Sequence, residues 1–229
     1  MAINLDVYKD LMQVSAERQL TLVAVSKNKP IQDIQDLYDI GHRDFGENYV
    51  QELIQKQLLL PQDIRWHFIG HLQRNKVKYI APFVHMIHGV ESYQLLEEID
   101  RQAVKNERNI KCLLQLHIAQ EESKFGLSYE ELTSIIRDIP KLELINQIRN
   151  VTVSGLMGMA TLTEDEEQIR KEFKYLKMAF DESKKNLIKS SEFDTLSMGM
   201  SADYRIAIEE GSTMIRVGSL LFGQRDPVL

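Results

Sequence analysis

Thr21–Pro30 reads TLVAVSKNKP, an almost uninterrupted apolar run set directly against Ser26 and Lys27. A short continuous run of this kind is the pattern of a strand buried on both faces, as in a parallel sheet covered by helices. The next segment, IQDIQDLYDIG over 31–41, carries apolar residues at helical spacing and closes on Gly41, a residue favoured just past a helix end. Strand followed by amphipathic helix is the repeating unit of an α/β fold.

The unit recurs along the chain. RDFGE precedes YVQELIQKQLLL, RWHFIGH precedes RNKVKYIAPF, and VHMIHGV precedes SYQLLEEIDRQAVKN. IKCLLQLHIA, VTVSGLMGMAT and DTLSMGM are each followed by a helical pattern, and TMIRVGSLLFG ends the series. About eight such alternations in a chain of this length predict a single (β/α)8 TIM barrel, one domain over residues 1–229, with an extra N-terminal helix in MAINLDVYKDLMQVSAERQ. The alternative is an open doubly wound sheet, but no G-x-G-x-x-G follows the first strand.

Composition narrows the function. The 229 residues are 43% hydrophobic and 27% charged, which suits a large soluble core, and a net charge of -6 offers no field for a nucleic-acid backbone. The single cysteine, Cys112, lies in an apolar run and suits a reducing compartment; with no apolar leader or membrane-length segment, a cytoplasmic protein is expected. His67 and His71 are four apart but lie around a strand end rather than along a helix, and His85 and His88 have no obvious third ligand, so no metal site is expected.

A barrel places its chemistry at the C-terminal ends of its strands. Those ends carry Lys27, Glu47 with Asn48, His71, His117 followed by EESKFG, Met157 to Thr161, SMGMSADY and RVGSLLFG. Ser201 suits either a helix cap or, with neighbouring N–H groups, a phosphate; Gly218 suits a turn or close approach to a ligand, and Ser219 adds a hydroxyl. Loops after the seventh and eighth strands often form a phosphate site in barrels. Arg216 lies inside the last strand, facing either the barrel mouth or the outer helices, and needs a partner in either place. A lysine at a strand end ordinarily reaches solvent. Desolvated among apolar strands, Lys27 would instead become a nucleophilic amine able to form a Schiff base with an aldehyde. An aldehyde carrying a phosphate describes pyridoxal 5′-phosphate.

AVSKNKP, GENYVQE, WHFIGHLQRNK, EESKFG, GLMGMA, SMGMSADY and IRVGSLLFG occur in the order and approximate spacing of the pyridoxal phosphate homeostasis family, whose barrel is similar to the N-terminal domain of alanine racemase. The resemblance runs from about Thr21 to Asp226. It implies that Lys27 is the Schiff-base lysine, with Lys29 the less suitable neighbour. It implies that Ser201, Gly218 and Ser219 hold the phosphate, that Arg216 faces the pyridine nitrogen, and that Asn48 and His71 lie near the ring. Lys124 matches a second lysine near the site. One position departs from the family: QLH puts His117 where an asparagine is common. The resemblance implies a monomeric carrier that holds pyridoxal phosphate as a lysine aldimine, buffers it and delivers it to apoenzymes. The alternative is a racemase or lyase of low activity, against which stand a cationic Arg216 that blunts the electron sink and the little chain left for a second catalytic domain. A phosphate-binding barrel without this cofactor is the third reading.

Overall fold

Parallel strands β1 (Thr21–Val25), β2 (Asp44–Glu47), β3 (Arg65–Phe68), β4 (Met86–Val90), β5 (Ile110–Gln115), β6 (Val151–Met157), β7 (Thr195–Ser197) and β8 (Met214–Val217) pair in chain order into a closed barrel. The computed structural model describes residues 3–121, 125–144, 148–187 and 191–223. Closure is made by β8 on β1, with Thr21 opposite Met214 and Val23 opposite Arg216. The ends of the chain's first and last strands are therefore neighbours.

Around the barrel lie α1 (Leu5–Arg18), α2 (Ile31–Asp39), α3 (Val50–Leu59), α4 (Val77–Ile80), α5 (Tyr93–Lys105), α6 (Tyr129–Leu144), α7 (Glu166–Lys185), α8 (Tyr204–Glu209) and α9 (Ser219–Phe222). The extra helix expected at the N-terminus is α1. Asn4 caps it by accepting from the Val7 N–H, and the Asn4 N–H donates to the Leu221 carbonyl, so α1 is tied to the turn that follows β8.

Strand alternation divides the core into two layers. Leu22, Ala24, Phe45, Trp66, Phe68, Ile87, Cys112, Leu114 and Leu196 face outward into the large core shared with the helices. Val23, Met86, Leu113, Met157 and Met214 face inward and fill the barrel itself. Each fully buried side chain of this size contributes about 1.5–3 kcal/mol. Cys112 belongs to the outer layer, where burial pushes its thiol well above the usual range, the state of an inert core residue.

Two elements are shorter than the sequence pattern suggests. RNKVKYIAPF yields a 3-10 turn at Arg74–Lys76 and the single turn of α4, which stops at the residues before Pro82, where helical geometry is disfavoured. The segment after SMGM becomes helical only at Tyr204, so Ser201 is not its cap.

Candidate functional site

Lys27 follows β1 in a four-residue turn closed by the Lys29 N–H donating to the Ser26 carbonyl. Asn28 occupies the third position with φ 58°, a left-handed conformation that asparagine tolerates better than most residues. By alternation Lys27 shares the inward side of Val23, while Ser26 faces outward. Lys27 is half-buried at the barrel mouth. Lys29 turns elsewhere: its ammonium donates to the carbonyls of Phe222 (2.7 Å) and Gly223 (3.2 Å) at the end of α9. That contact suits a cation at a helix C-terminus.

Behind the turn lies a buried charged cluster that the sequence reading did not assemble. Lys56, on α3, donates to Glu47 Oε1, Glu52 Oε1 and the Ser26 carbonyl, each at 2.7 Å. Ser26 Oγ donates to Glu47 Oε1 at 2.6 Å, and the Asn28 N–H donates to Glu52 Oε1 at 2.7 Å. Burial raises the Glu47 carboxyl above its usual range despite the opposing charge of Lys56.

The β7 and β8 ends meet the turn from the other side. A Cβ at Gly218 would lie 3.1 Å from the Val25 carbonyl oxygen, so glycine lets β8 approach β1 two residues before Lys27. Ser201 Oγ accepts from the Gly218 N–H at 3.2 Å, which joins the two loops, while Asp203 turns its carboxylate onto the Met200 N–H at 2.6 Å. Gly199 adopts φ +95°, and a Cβ there would lie 2.6 Å from the Ala207 Cβ. Ser219 opens α9, in which the Leu221 and Phe222 N–H groups donate to the Gly218 carbonyl.

Of the two orientations open to Arg216, the inward one is realised. Its guanidinium donates to Ser197 Oγ at 2.7 Å and to the Gly158 carbonyl at 3.2 Å, and it is 4% exposed. Burial lowers its pKa to about 10, with the charge of Asp203 acting in the other direction, and it stays cationic at neutral pH. A buried cation held by neutral acceptors favours an anionic or electron-rich ligand at the mouth.

Asn48 and His71 line one shallow pocket beyond β2 and β3. The Asn48 Oδ1 is buried and has no partner among the described residues, so it can accept from a ligand donor. His71 Nδ1 lies 2.8 Å from Glu91 Oε1, and its ring stacks on Phe125 at 4.3 Å. His117 Nε2 donates to the Glu121 carbonyl at 3.0 Å, so this departure from the family pattern braces its own loop. Lys124 lies outside the described residues.

Beneath Arg216 a polar line crosses the barrel interior. Ser197 Oγ lies 3.2 Å from His88 Nδ1, His88 Nε2 lies 2.9 Å from His67 Nδ1, and His67 Nε2 lies 3.1 Å from Asp44 Oδ1. Arg65 binds both Asp44 oxygens, at 2.7 and 2.5 Å. Burial alone would raise the Asp44 carboxyl; the hydrogen bonds of Arg65 and His67 and the charge of Arg65 outweigh it and hold Asp44 far below the usual range. Among the described residues no cluster of three or more His, Cys, Asp or Glu is arranged for a metal ion.

These groups give stability a pH dependence. Burial, reinforced by the charge of Arg216, holds His88 well below the imidazole range, and burial lowers His85 to about 4. The unfolded chain protonates both rings near pH 6.5 and the folded chain does not, so their contribution is complete above about pH 6.5 and is lost as pH falls. Glu47 opposes this, because its raised folded pKa gives a contribution present at low pH and lost as pH rises. Two imidazoles outweigh one carboxyl. With the partly exposed His85 discounted for screening, unfolding free energy should fall by roughly 1 kcal/mol per pH unit between about pH 6.5 and 5. Urea titrations across that interval measure the slope, and Glu47→Gln should steepen it.

The model of the alanine racemase N-terminal domain matches residues 4–226. The pyridoxal phosphate homeostasis protein of Aquifex aeolicus is 38% identical over 205 residues, covering 89% of this chain and 86% of that protein. The chain belongs to the pyridoxal phosphate homeostasis protein family. Within the solved structures, PipY of Synechococcus elongatus without pyridoxal phosphate matches at TM-score 0.82 and 34% identity, covering 94% of this chain and 99% of that one. PipY with pyridoxal phosphate bound matches at TM-score 0.77, again at 34% identity, covering 93% and 99%. The match to the alanine racemase N-terminal domain model spans the mouth from Lys27 to Ser219, and no helix among the described residues is long and apolar enough to cross a membrane.

Proposed function

We propose that the chain holds pyridoxal 5′-phosphate at the barrel mouth and takes part in its intracellular homeostasis, as a single-domain monomer that buffers the cofactor in the cytoplasm and delivers it to dependent apoenzymes. The observation that carries this reading is the convergence of Lys27, half-buried on its turn, with the Ser201–Gly218 junction and the buried cation of Arg216. The relatives named for this homeostasis, and the PipY structure with the cofactor bound, support it.

Bound here, the cofactor supplies an aldehyde able to condense reversibly with a lysine amine. Lys27 offers that amine. Ser201, Gly218 and Ser219 receive the phosphate, Arg216 presents N–H donors to the pyridine nitrogen, and Asn48 and His71 border the ring. Lys124 is the second lysine that receives or releases the cofactor. Arg216 keeps its positive charge at neutral pH, which opposes protonation of a ring nitrogen beside it and suits retention over turnover.

The test is to incubate the purified protein with pyridoxal phosphate, reduce with borohydride and map the modified peptide by mass. Label on the peptide containing Lys27 is expected; a chain that takes up no label overturns the reading. Incubating the loaded protein with a panel of amino acids in deuterated water completes the test. Enzyme-like exchange of the α-proton would replace the carrier with a racemase or lyase.

A further inference from the structure

The polar line through the barrel interior has a direction set by its two ends. A guanidinium only donates and a carboxylate only accepts. Asp44 can only accept, so a His67 carrying one ring hydrogen holds it on Nε2, donates to Asp44 Oδ1 at 3.1 Å and leaves Nδ1 bare. His88 is buried and neutral, so it donates from Nε2 to His67 Nδ1 at 2.9 Å and leaves its own Nδ1 to accept. The Ser197 hydroxyl gives its hydrogen to that Nδ1 at 3.2 Å, and its oxygen accepts an N–H of Arg216. Every link donates toward Asp44, whose two oxygens are also held by Arg65. The line spans β8, β7, β4, β3 and β2, and it ends beside a cavity of about 310 Å³ at the opposite end of the barrel, lined in part by Asp44, Arg65, His67 and His85.

We propose that Ser197, His88, His67 and Asp44 are positioning residues: they form a one-way hydrogen-bond relay that orients the Arg216 guanidinium toward the cofactor and anchors it to the far end of the barrel. The inference rests on the proposed cofactor reading for its consequence, but the relay itself is a property of the ligand-free chain. The Ser197 hydroxyl donates to His88 because His88 presents a bare Nδ1, and His88 does so because His67 presents one in turn; the Ser197 oxygen is then turned toward Arg216. Asp44 selects the tautomer of the whole line. An error at Asp44 is thus felt at Arg216, three side chains away, without any change in the residues at the mouth.

The experiment combines ring-nitrogen NMR with cofactor titration of the full-length protein. In the ligand-free wild type, at a pH above the imidazole range, both His67 and His88 should carry their single ring hydrogen on Nε2. His67→Gln should shift the Arg216 side-chain resonances and weaken pyridoxal phosphate binding about tenfold, while saturating cofactor still labels Lys27 under borohydride. Asp44→Asn, nearly isosteric, provides the same reading if the glutamine variant does not fold: its amide can donate to His67, and His88 should lose its single tautomer. Hydrogen on Nδ1 of either wild-type ring would overturn the relay. So would a folded variant with unchanged Arg216 resonances and wild-type affinity. A wild type that takes up no pyridoxal phosphate would sink the cofactor reading alone, since tautomers and Arg216 resonances report on the relay without it.

Discussion

Lys27→Ala is expected to abolish the borohydride-stable pyridoxal phosphate adduct, while Lys29→Ala leaves it in place. The two lysines are neighbours in sequence, and either amine could react with an aldehyde in an unfolded peptide. The turn separates them. It leaves Lys27 on the inward side of β1, beside Gly218 and above Arg216, and sends Lys29 to the carbonyls of Phe222 and Gly223. Alanine is compatible with the second position of the turn, whose demanding conformation belongs to Asn28. The Lys27→Ala protein should therefore fold, with a circular dichroism spectrum and melting temperature near those of wild type. Mass mapping after reduction discriminates cleanly: an adduct on Lys29 or on Lys124 at wild-type stoichiometry would assign the linkage elsewhere. Lys29→Ala should instead loosen the end of α9, because two carbonyls there lose their cation.

Much of the architecture was legible because the strands are apolar runs and the helices carry a helical period, both local properties of the chain. At the mouth the same local pattern puts Lys27 just past the end of β1 but leaves Arg216 two orientations, of which the structure takes the inward one. What local pattern does not contain is pairing across the barrel. His67 and His88 looked only like unconvincing metal ligands, although each stands at an inward position of its strand. Their meaning depends on Ser197, which is 109 residues from His88 in sequence and meets it only when the barrel closes. The same limit hid the role of Lys56. It sits in an unremarkable amphipathic helix, and nothing in VQELIQKQLL says that its ammonium reaches back to the Ser26 carbonyl, 30 residues away. Ser201 illustrates the reverse case. A serine before a helix suggests a cap, but the Asp203 carboxylate takes the Met200 N–H and α8 starts later, which leaves the Ser201 hydroxyl to bridge the two loops.

Lys56→Ala is expected to lower the unfolding free energy by about 3–5 kcal/mol, the cost of leaving a buried charge without its partner. The ammonium is 4% exposed at the residue level and has three acceptors at 2.7 Å: Glu47 Oε1, Glu52 Oε1 and the Ser26 carbonyl. Glu47 and Ser26 are fully buried, so without Lys56 the Glu47 carboxyl must take up a proton or remain as an unpaired buried carboxylate. For a chain of this size a change of that magnitude corresponds to a melting-temperature drop of roughly 10 °C. Urea denaturation at neutral pH measures it, and a variant within about 0.5 kcal/mol of wild type would refute the assignment. The double variant Glu47→Leu/Lys56→Met separates stability from function. Replacing a buried ion pair with apolar groups of similar volume is often neutral or stabilising, so the double variant should recover most of the lost free energy. It cannot restore the bond from Lys56 to the Ser26 carbonyl, nor the bond from Ser26 Oγ to Glu47. Both hold the residue immediately before Lys27. A stable double variant that still labels Lys27 more slowly than wild type would place the value of this charged cluster in the aim of the lysine. One that labels at the wild-type rate would reduce the cluster to a structural ion pair.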